Sequence, residues 1–203
     1  MIKIYSQNDL LNLEKRFRGN FVNSLTGFKS ANLIGTANQD GSTNLAIFSS
    51  VIHIGASPPL VGMISRPHSV PRHTLENILA TKQFTINHVN STIFKAAHQT
   101  SARYESQSEF DATGLTAEYL QGFKAPFVKE ANIKIGLSLA DIIDIKINNT
   151  KLIIGQIEWV ALPENIVEMD GKLNIEMANS IAISGLNTYH QTEEMERLPY
   201  AKI

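Results

Sequence analysis

Arginine, histidine and hydroxyl side chains are concentrated in residues 65–74, which read Ser-Arg-Pro-His-Ser-Val-Pro-Arg-His-Thr. This stretch follows an apolar run and precedes a run with helical spacing, so it is expected to leave a buried strand and enter a helix. A helix N-terminus offers unpaired N–H groups, and guanidinium groups supply paired donors that match phosphate oxygens. The stretch therefore predicts an anion site. The alternative is that Ser69 only caps the helix and that the arginine side chains lie in solvent.

Two small hydroxyl residues, Ser49 and Ser50, end the apolar run Asn44–Phe48. Consecutive small residues let the backbone approach a flat ring closely, and their hydroxyl groups can donate to the polar edge of such a ring. The alternative is an ordinary turn, since serine is a common turn residue at the end of a strand. The sequence alone leaves both interpretations open.

Several kinds of chemistry are excluded or disfavoured by what the sequence lacks. The chain has no cysteine, which excludes disulfides, Cys-ligated metals and thiol nucleophiles. His68 and His73 are five residues apart, and His98 and His190 lack carboxylates at ligand-like spacing, so no metal site is predicted. There is also no Gly-x-Ser-x-Gly, Walker or Gly-x-Gly-x-x-Gly motif, which disfavours a serine hydrolase, an NTPase and a Rossmann domain.

Composition predicts one domain over residues 1–203 with a packed core, because 43% of the residues are hydrophobic and 18% are charged. The net charge of −1 argues against nucleic acid or an anionic membrane as the main partner. Residues 1–5 lack the apolar stretch of a signal peptide, and no window approaches the apolar length of a membrane span. The expected location is the cytoplasm.

Most of the elements that must position the candidate residues are predicted to be strands. Asn38-Gln39-Asp40-Gly41 lies between two β-prone runs, and Asp-Gly at that place predicts a hairpin. A second hairpin is predicted within Leu139–Leu162, with its turn at Asn148-Asn149. The predicted strands are Asn32–Ala37, Thr43–Phe48, Val51–Ile54, Leu60–Ile64, Phe84–Val89 and the two arms of that second hairpin.

Helical spacing is less frequent. It predicts an amphipathic helix over residues 8–18 and another over Val70–Thr81, where Pro71 suits the first turn. The remaining predictions are short helices at Ser91–His98 and Met177–Ile183, a polar loop at Gln99–Ser108 and a turn at Asp170-Gly171. Because strands outnumber helices and no βαβ alternation occurs, the fold class is predicted to be mainly β, an antiparallel barrel with a few peripheral helices.

Several segments, in order, resemble the flavin reductase-like family of FMN-binding split barrels, which includes proteins of the flavoredoxin type. The segments that carry the resemblance are Asn44–Val51, Pro58–Val61, Ser65–Pro67, Thr74–Ile78, Thr81, Phe84–Asn87, Ser108–Phe110 and Gly114–Thr116. Gly185–His190 resembles a tail motif of some members. The resemblance implies a homodimer of split β-barrels with FMN near the subunit interface.

The resemblance also implies roles for individual residues. Phe48, Ser49, Ser50 and Val51 are expected to line the flavin ring and ribityl chain. The residues expected around the ribityl phosphate are Ser65, Arg66, Ser69, Val70, Arg72, His73 and Thr74, with Asn87 and His88 as further candidates on the neighbouring strand.

The reaction that the resemblance implies is hydride transfer from NADH or NADPH to FMN. This step depends on stacking and an open ring face more than on a protein acid or base, so no catalytic side chain is assigned. One alternative is a non-enzymatic FMN-binding electron-transfer flavoprotein that a partner protein reduces. Another is a β-barrel interaction domain whose arginine cluster binds a different phosphate ligand.

Overall fold

The computed structural model describes residues 1–104 and 107–201, and strands make up most of its elements. The strands are β1 (Lys29–Ser30), β2 (Asn32–Ala37), β3 (Thr43–Phe48), β4 (Ile52–Ala56), β5 (Pro59–Ser65), β6 (Gln83–His88), β7 (Ala117–Glu118), β8 (Phe127–Val128), β9 (Lys134–Ile145), β10 (Thr150–Ala161), β11 (Ile181–Ser184) and β12 (Thr188–Gln191). The helices are α1 (Gln7–Asn12), α2 (Lys15–Leu25), α3 (His73–Thr81), α4 (Phe94–Gln99) and α5 (Glu109–Thr113), with a 3-10 turn at Glu164–Ile166.

Seven strands form the main sheet, in the order β3-β2-β6-β9-β10-β5-β4, and all neighbours are antiparallel. The long β9–β10 hairpin lies near its middle. Strands β1, β11 and β12 form a separate three-stranded sheet, and β7 pairs with β8. Among the described residues, no helix combines the length and apolar character needed to span a bilayer.

The main sheet curls because its two edge strands are neighbours in the chain. Only residues 49–51 join β3 to β4. A flat sheet of seven strands is about 29 Å wide at about 4.8 Å per strand, whereas the four steps from Phe48 to Ile52 reach at most about 14 Å. The edges must therefore approach each other, which leaves a split between β3 and β4.

Strands β2 and β6 of the curled sheet bury both of their faces. Inside the curl, residues such as Ile34, Ile86 and Ile153 pack against Leu75 and Ile78 of α3. On the outside, the alternate residues Leu33, Leu45 and Val89 pack with residues of α4, α5 and β11. Successive side chains of a strand point to opposite faces, so Leu33 and Ile34 belong to different clusters. The predicted mainly β class is confirmed.

Both predicted hairpins are confirmed, and local chemistry explains them. The Asn38 side chain accepts hydrogen bonds from the backbone N–H groups of Asp40 (2.9 Å) and Ser42 (3.1 Å), while Gly41 takes φ +91°. In the β9–β10 turn, Asn149 adopts φ +57°, a left-handed conformation that asparagine tolerates. The turn at Asp170-Gly171 is also confirmed, with Gly171 at φ +87°.

The single helix predicted over residues 8–18 is wrong, because the chain breaks into two helices there. Leu13 is extended, and the Glu14 carboxylate accepts from the N–H groups of Arg16 and Phe17, each at 2.9 Å, which starts α2. The helix predicted at Met177–Ile183 is also wrong. The Asn174 side chain accepts from the Met177 N–H at 2.8 Å in a turn, and Ile181–Ser184 pairs with β1 and β12.

Two smaller corrections concern the starts of helices α3 and α4. The helix predicted from Ser91 begins at Phe94, and the one predicted from Val70 begins at His73. The loop predicted over Gln99–Ser108 begins one residue later, because α4 includes Gln99; residues 100–104 and 107–108 hold no helix or strand, and residues 105–106 lie outside the described residues. Helix α5 was not predicted. The Ser108 hydroxyl caps it by accepting from the Asp111 N–H at 3.2 Å.

Candidate functional site

The link between the two edge strands forms one side of the candidate site. Phe48 and Val51 direct their apolar side chains against the cluster inside the curl. The Ser50 hydroxyl accepts from the Ile64 N–H at 3.2 Å and can donate to the Ile64 carbonyl at 3.3 Å, which ties the link to β5. Ser49 is only partly buried and lies between the anchored residues Phe48 and Ser50. Residues 49–51 connect the two strands, and they are three of the four residues, Phe48–Val51, that were expected to line the ring and ribityl chain.

The arginine-rich loop begins beside this link. Ile64, the partner of Ser50, immediately precedes Ser65 and Arg66, and the loop then runs to the start of α3 at His73. Ser65 is buried, whereas Arg66, Ser69 and His73 are exposed and Val70 is partly buried. The fold therefore brings together the two segments that the sequence analysis identified. The Ser50 hydroxyl of the link makes the hydrogen bonds to Ile64 that a neighbouring strand would otherwise make.

The loop is held in shape by its own side chains. The Arg72 Nε donates to the Pro67 carbonyl at 3.1 Å. The Glu76 carboxylate accepts from the Arg72 N–H at 3.0 Å and contacts the His68 Nε2 at 2.7 Å. The hydrogen bond from the Arg72 N–H, followed by the one from His68, holds the pKa of Glu76 below its ordinary value. The carboxylate stays ionised and holds His68 close to the C-terminal end of the loop at Arg72.

The N-terminus of α3 has donors to offer. Arg72 is its N-cap residue, and no side chain of residues 1–104 and 107–201 makes a cap hydrogen bond to it, so the alternative in which Ser69 is the cap is wrong. Thr74 is buried, and its hydroxyl accepts from the Asn44 amide at 3.0 Å, which anchors the helix on β3. The first backbone N–H groups of α3, together with nearby guanidinium and hydroxyl groups, form a donor set suited to a phosphate.

The two candidates on β6 have a different environment. Asn87 is fully buried; its amide donates to the Leu33 carbonyl (3.1 Å) and to the Thr85 hydroxyl (2.9 Å), and its oxygen accepts from the Val128 N–H (2.9 Å). Its hydrogen-bonding groups thus join three strands to one another. His88 contacts the Ser180 hydroxyl through Nδ1 at 3.1 Å, and burial lowers its pKa from 6.5 to about 4. Both side chains are engaged by the protein itself.

Two groups near the link were missed by the sequence analysis. The Glu109 carboxylate at the start of α5 accepts from the Leu45 N–H at 3.1 Å, which covers the free edge of β3. The Tyr189 hydroxyl contacts the His98 Nδ1 at 2.9 Å, and Tyr189 packs with the cluster that includes Ile47. The capping signal at Ser108 could have indicated α5, but only the folded chain brings Tyr189 to α4.

A cleft of about 510 Å³ opens beside the arginine-rich loop. One wall is Pro67–Ser69, and the other is the tip of the β9–β10 hairpin. Its lining residues are Pro67, His68, Ser69, Asp144, Ile145, Lys146, Asn149, Thr150 and Lys151. The two walls meet because Ser65 pairs with Lys151 in the sheet. The sequence analysis did not connect these segments, which lie about 80 residues apart.

Comparison with known proteins identifies the class. Residues 25–176 match the family model described as flavin reductase like domain. The structure superimposes with a TM-score of 0.94 on a proposed flavin reductase with a split barrel domain from Shewanella frigidimarina NCIMB 400; the two are 52% identical, and the match covers 98% of this chain and 100% of that one. The chain therefore belongs to the flavin reductase-like family, and the predicted split-barrel fold is confirmed.

More distant structures share the same fold. Nitrilotriacetate monooxygenase component B from Bacillus cereus is 20% identical, with a TM-score of 0.84 and 98% of each chain covered. Flavoredoxin of Desulfovibrio vulgaris (Miyazaki F) is 21% identical, with a TM-score of 0.73, and the match covers 86% of this chain and 92% of that one. At these identities the likeness extends to the fold alone.

His88 is expected to make stability depend on pH. The unfolded chain takes up a proton at this residue as the pH falls below about 6.5, whereas the folded chain resists until about pH 4. The free energy of unfolding should therefore be unaffected by His88 above about pH 6.5 and fall by about 2–3 kcal/mol towards pH 4. Urea denaturation of the wild type and of His88→Gln at several pH values measures this contribution. The exposed His53→Gln variant serves as the control, and a wild-type slope retained in His88→Gln would contradict the assignment.

Proposed function

We propose that the protein is an NAD(P)H-dependent flavin reductase that binds FMN and accepts a hydride onto it from the nicotinamide. The observation that carries this proposal is the convergence of the serine link and the arginine-rich loop at the split. Membership of the flavin reductase-like family supports it. The proposal makes Phe48, Ser49, Ser50 and Val51 the lining of the ring and ribityl chain.

The chemistry of the loop fits the phosphate end of FMN. Arg66 and His73 are exposed, so their side chains can turn towards a ligand without losing a packed position. Ser69 adds a hydroxyl, and the α3 N-terminus adds backbone N–H groups that no side chain in the described part of the chain caps. Charge-assisted hydrogen bonds of this kind are the strongest that a protein makes to phosphate. Ser65, Val70, Arg72 and Thr74 have a supporting role in this proposal, because they hold the loop and the helix in place.

The link fits the ring end. Phe48 and Val51 offer apolar surface, and the partly buried Ser49 can donate to the polar edge of an isoalloxazine. Bound FMN supplies the redox chemistry, and the residues of this chain bind it, orient it and limit the access of water to it. We assign no proton-transferring side chain. Asn87 and His88 are left out of the proposed binding site, because the Asn87 amide and the His88 Nδ1 already have partners within the protein.

We also propose that the functional unit is a homodimer formed through the outer face of β4, β5, β10 and β9. Ile52, Ile54 and Ile143 are 49%, 38% and 47% exposed on this face. Gly62 lets these residues lie close together, since a Cβ atom there would be 2.8 Å from the Ile54 Cδ1 and 3.0 Å from the Leu152 Cδ1. Continuous apolar surface of this kind is typical of an interface. A second copy on it would lie beside β4 and help to cover the split.

Reduction of bound FMN by a nicotinamide tests the enzymatic proposal. We expect the purified protein to bind FMN and the flavin absorbance to bleach in a stopped-flow experiment after NADH or NADPH is added. Bleaching of free FMN without protein is the control. Bound FMN that neither nucleotide reduces would refute the reductase and select an electron-transfer flavoprotein that depends on a partner protein. A protein that stays colourless after incubation with FMN would refute both.

Arg66→Ala is expected to weaken FMN binding by about ten- to a hundred-fold, because it removes a charge-assisted bond worth about 1.5–3 kcal/mol. Quenching of flavin fluorescence on titration with protein gives the dissociation constant. Arg16→Ala on the exposed face of α2 provides a matched loss of one guanidinium and should leave the constant unchanged. Equal affinity of wild type and Arg66→Ala would remove Arg66 from the phosphate site.

Ile143→Glu is expected to break the proposed homodimer, since it places a charge in an apolar interface. Light scattering coupled to size-exclusion chromatography should then give a mass near the 22.5 kDa monomer, against twice that value for the wild type. Ile147→Glu is the matched control, because Ile147 is 94% exposed at the tip of the same hairpin. A monomeric wild type, or an Ile143→Glu variant that remains a dimer, would place the interface elsewhere or rule it out.

A further inference from the structure

Residues 1–28, which hold α1 and α2, form an N-terminal arm whose helices are specified locally. Ser6 and Asp9 cap α1 reciprocally, and the Glu14 carboxylate caps α2. Within residues 1–104 and 107–201, neither helix has a buried residue. A helix shorter than about 12 residues is marginal in water unless one of its faces is packed, and α2 has 11 residues. The arm therefore needs a contact that its own helices do not supply.

The surface available for such a contact is one side of α2. Phe17, Phe21 and Leu25 recur every four residues, so they lie on the same face of the helix. Phe21 is partly covered within the arm, because the centre of the Tyr5 ring lies 5.1 Å from the centre of its own. The large apolar side chains of α2 and the residues just after it that stay between 47% and 71% exposed are Phe17, Val22, Leu25 and Phe28. A clustered apolar surface of this kind is typical of an interface.

The arm is fixed at its root, Phe28 and Lys29. The Lys29 Nζ donates to the Asn23 carbonyl and to the Gly185 carbonyl, each at 3.0 Å. The Phe28 ring makes an edge contact with the His190 ring, with 4.8 Å between their centres. These contacts tie the C-terminal end of α2 to the turn between β11 and β12. Because the arm is held in this direction and its apolar side stays exposed, the chain that carries the arm does not cover that side.

The distribution of charge favours a second copy of this chain as the partner of the arm. Residues 1–29 contain five Lys or Arg and two Asp or Glu, which gives a net charge of +3. Residues 30–203 contain 13 Lys or Arg and 17 Asp or Glu, which gives −4. Asp141 adds an exposed carboxylate to the proposed dimer face, since it lies two residues from Ile143 on the same side of β9. The arm of one copy and the body of another are thus complementary in charge.

The root of the arm and the proposed dimer face border the split from opposite sides. The root is followed closely by Asn32, which pairs with Phe48 at the end of β3. The dimer face begins with β4, on the other side of the split. A second copy on that face would therefore lie close to the arm, and α2 alone is about 16 Å long at about 1.5 Å per residue.

We propose that the N-terminal arm of each copy packs on the other copy through the apolar side of α2. The contact is made twice in a two-fold dimer, because each subunit supplies one arm and receives one. This inference rests on the homodimer of the proposed function. It gives a role to residues 1–28, which that proposal does not use.

Crosslinking from one introduced cysteine tests where the arm packs. The chain has no cysteine, so Val22→Cys can be labelled at a single position with a maleimide that carries a photoreactive benzophenone. After irradiation of a dilute sample, denaturing electrophoresis separates products of two joined chains from crosslinks within one chain, and mass spectrometry identifies the joined peptides. We expect mainly products of two chains. Labelled Ile147→Cys, at the exposed tip of the β9–β10 hairpin, is the control and should give few of them.

A matched pair of charge substitutions in α2 measures the contribution of the arm to dimerisation. Leu25→Glu places a carboxylate on the apolar side of the helix, whereas Asn20→Glu adds the same charge at an exposed position on the other side. We expect Leu25→Glu to raise the dimer dissociation constant by about ten-fold or more, and Asn20→Glu to change it by less than about two-fold. Sedimentation equilibrium over a dilution series gives the constants, and circular dichroism checks that both variants are folded.

The arm contact and the proposed homodimer fail in different ways. A monomeric wild type would overturn both. A dimer in which labelled Val22→Cys reacts only within its own chain would overturn the arm contact and leave the homodimer in place, and equal dissociation constants for Leu25→Glu and Asn20→Glu would do the same. The reduction of FMN is tested separately by the bleaching of the flavin, so none of these results decides it.

Discussion

The three residues between β3 and β4 impose the main constraint on this structure. They join strands that lie at opposite edges of a seven-stranded sheet, so the sheet can form only if it curls. The Ser50 hydroxyl then bonds both backbone groups of Ile64 and fixes the link against β5. The split, the position of the arginine-rich loop and the inside of the curl all follow from this short connection.

The buried polar side chains have mainly a structural role in this arrangement. Thr36 accepts from Asn77 at 3.1 Å, and Thr74 accepts from Asn44 at 3.0 Å, so that α3 is tied to β2 and β3 by buried hydrogen bonds. Buried polar groups are costly without partners, and here they fix the direction in which the helix N-terminus points. The candidate phosphate donors at the surface therefore depend on hydrogen bonds that are buried within the fold.

The groups that hold the site in shape are different from those proposed to bind the flavin. Glu76, Arg72 and Pro67 close the loop among themselves, and this leaves Arg66, Ser69 and His73 exposed. Beside the loop, Lys151 forms an ion pair with Asp144. At the loop, internal pairing of some polar and charged groups decides which of the others remain available to a ligand.

Local signals in the sequence determined the elements and the donor set, whereas their arrangement depended on tertiary contacts. Asn38–Gly41 and Asn148-Asn149 predicted both hairpins, because turn chemistry acts over about four residues. The candidate phosphate donors of residues 65–74 are likewise close together in the sequence. The break at Leu13 and the strand at Ile181–Ser184 were not predicted, because a cap and distant sheet partners outweighed helical spacing there. The curl, and the cleft between residues about 80 positions apart, exist only once the strands have paired, since sheet register is a long-range property that no local pattern carries.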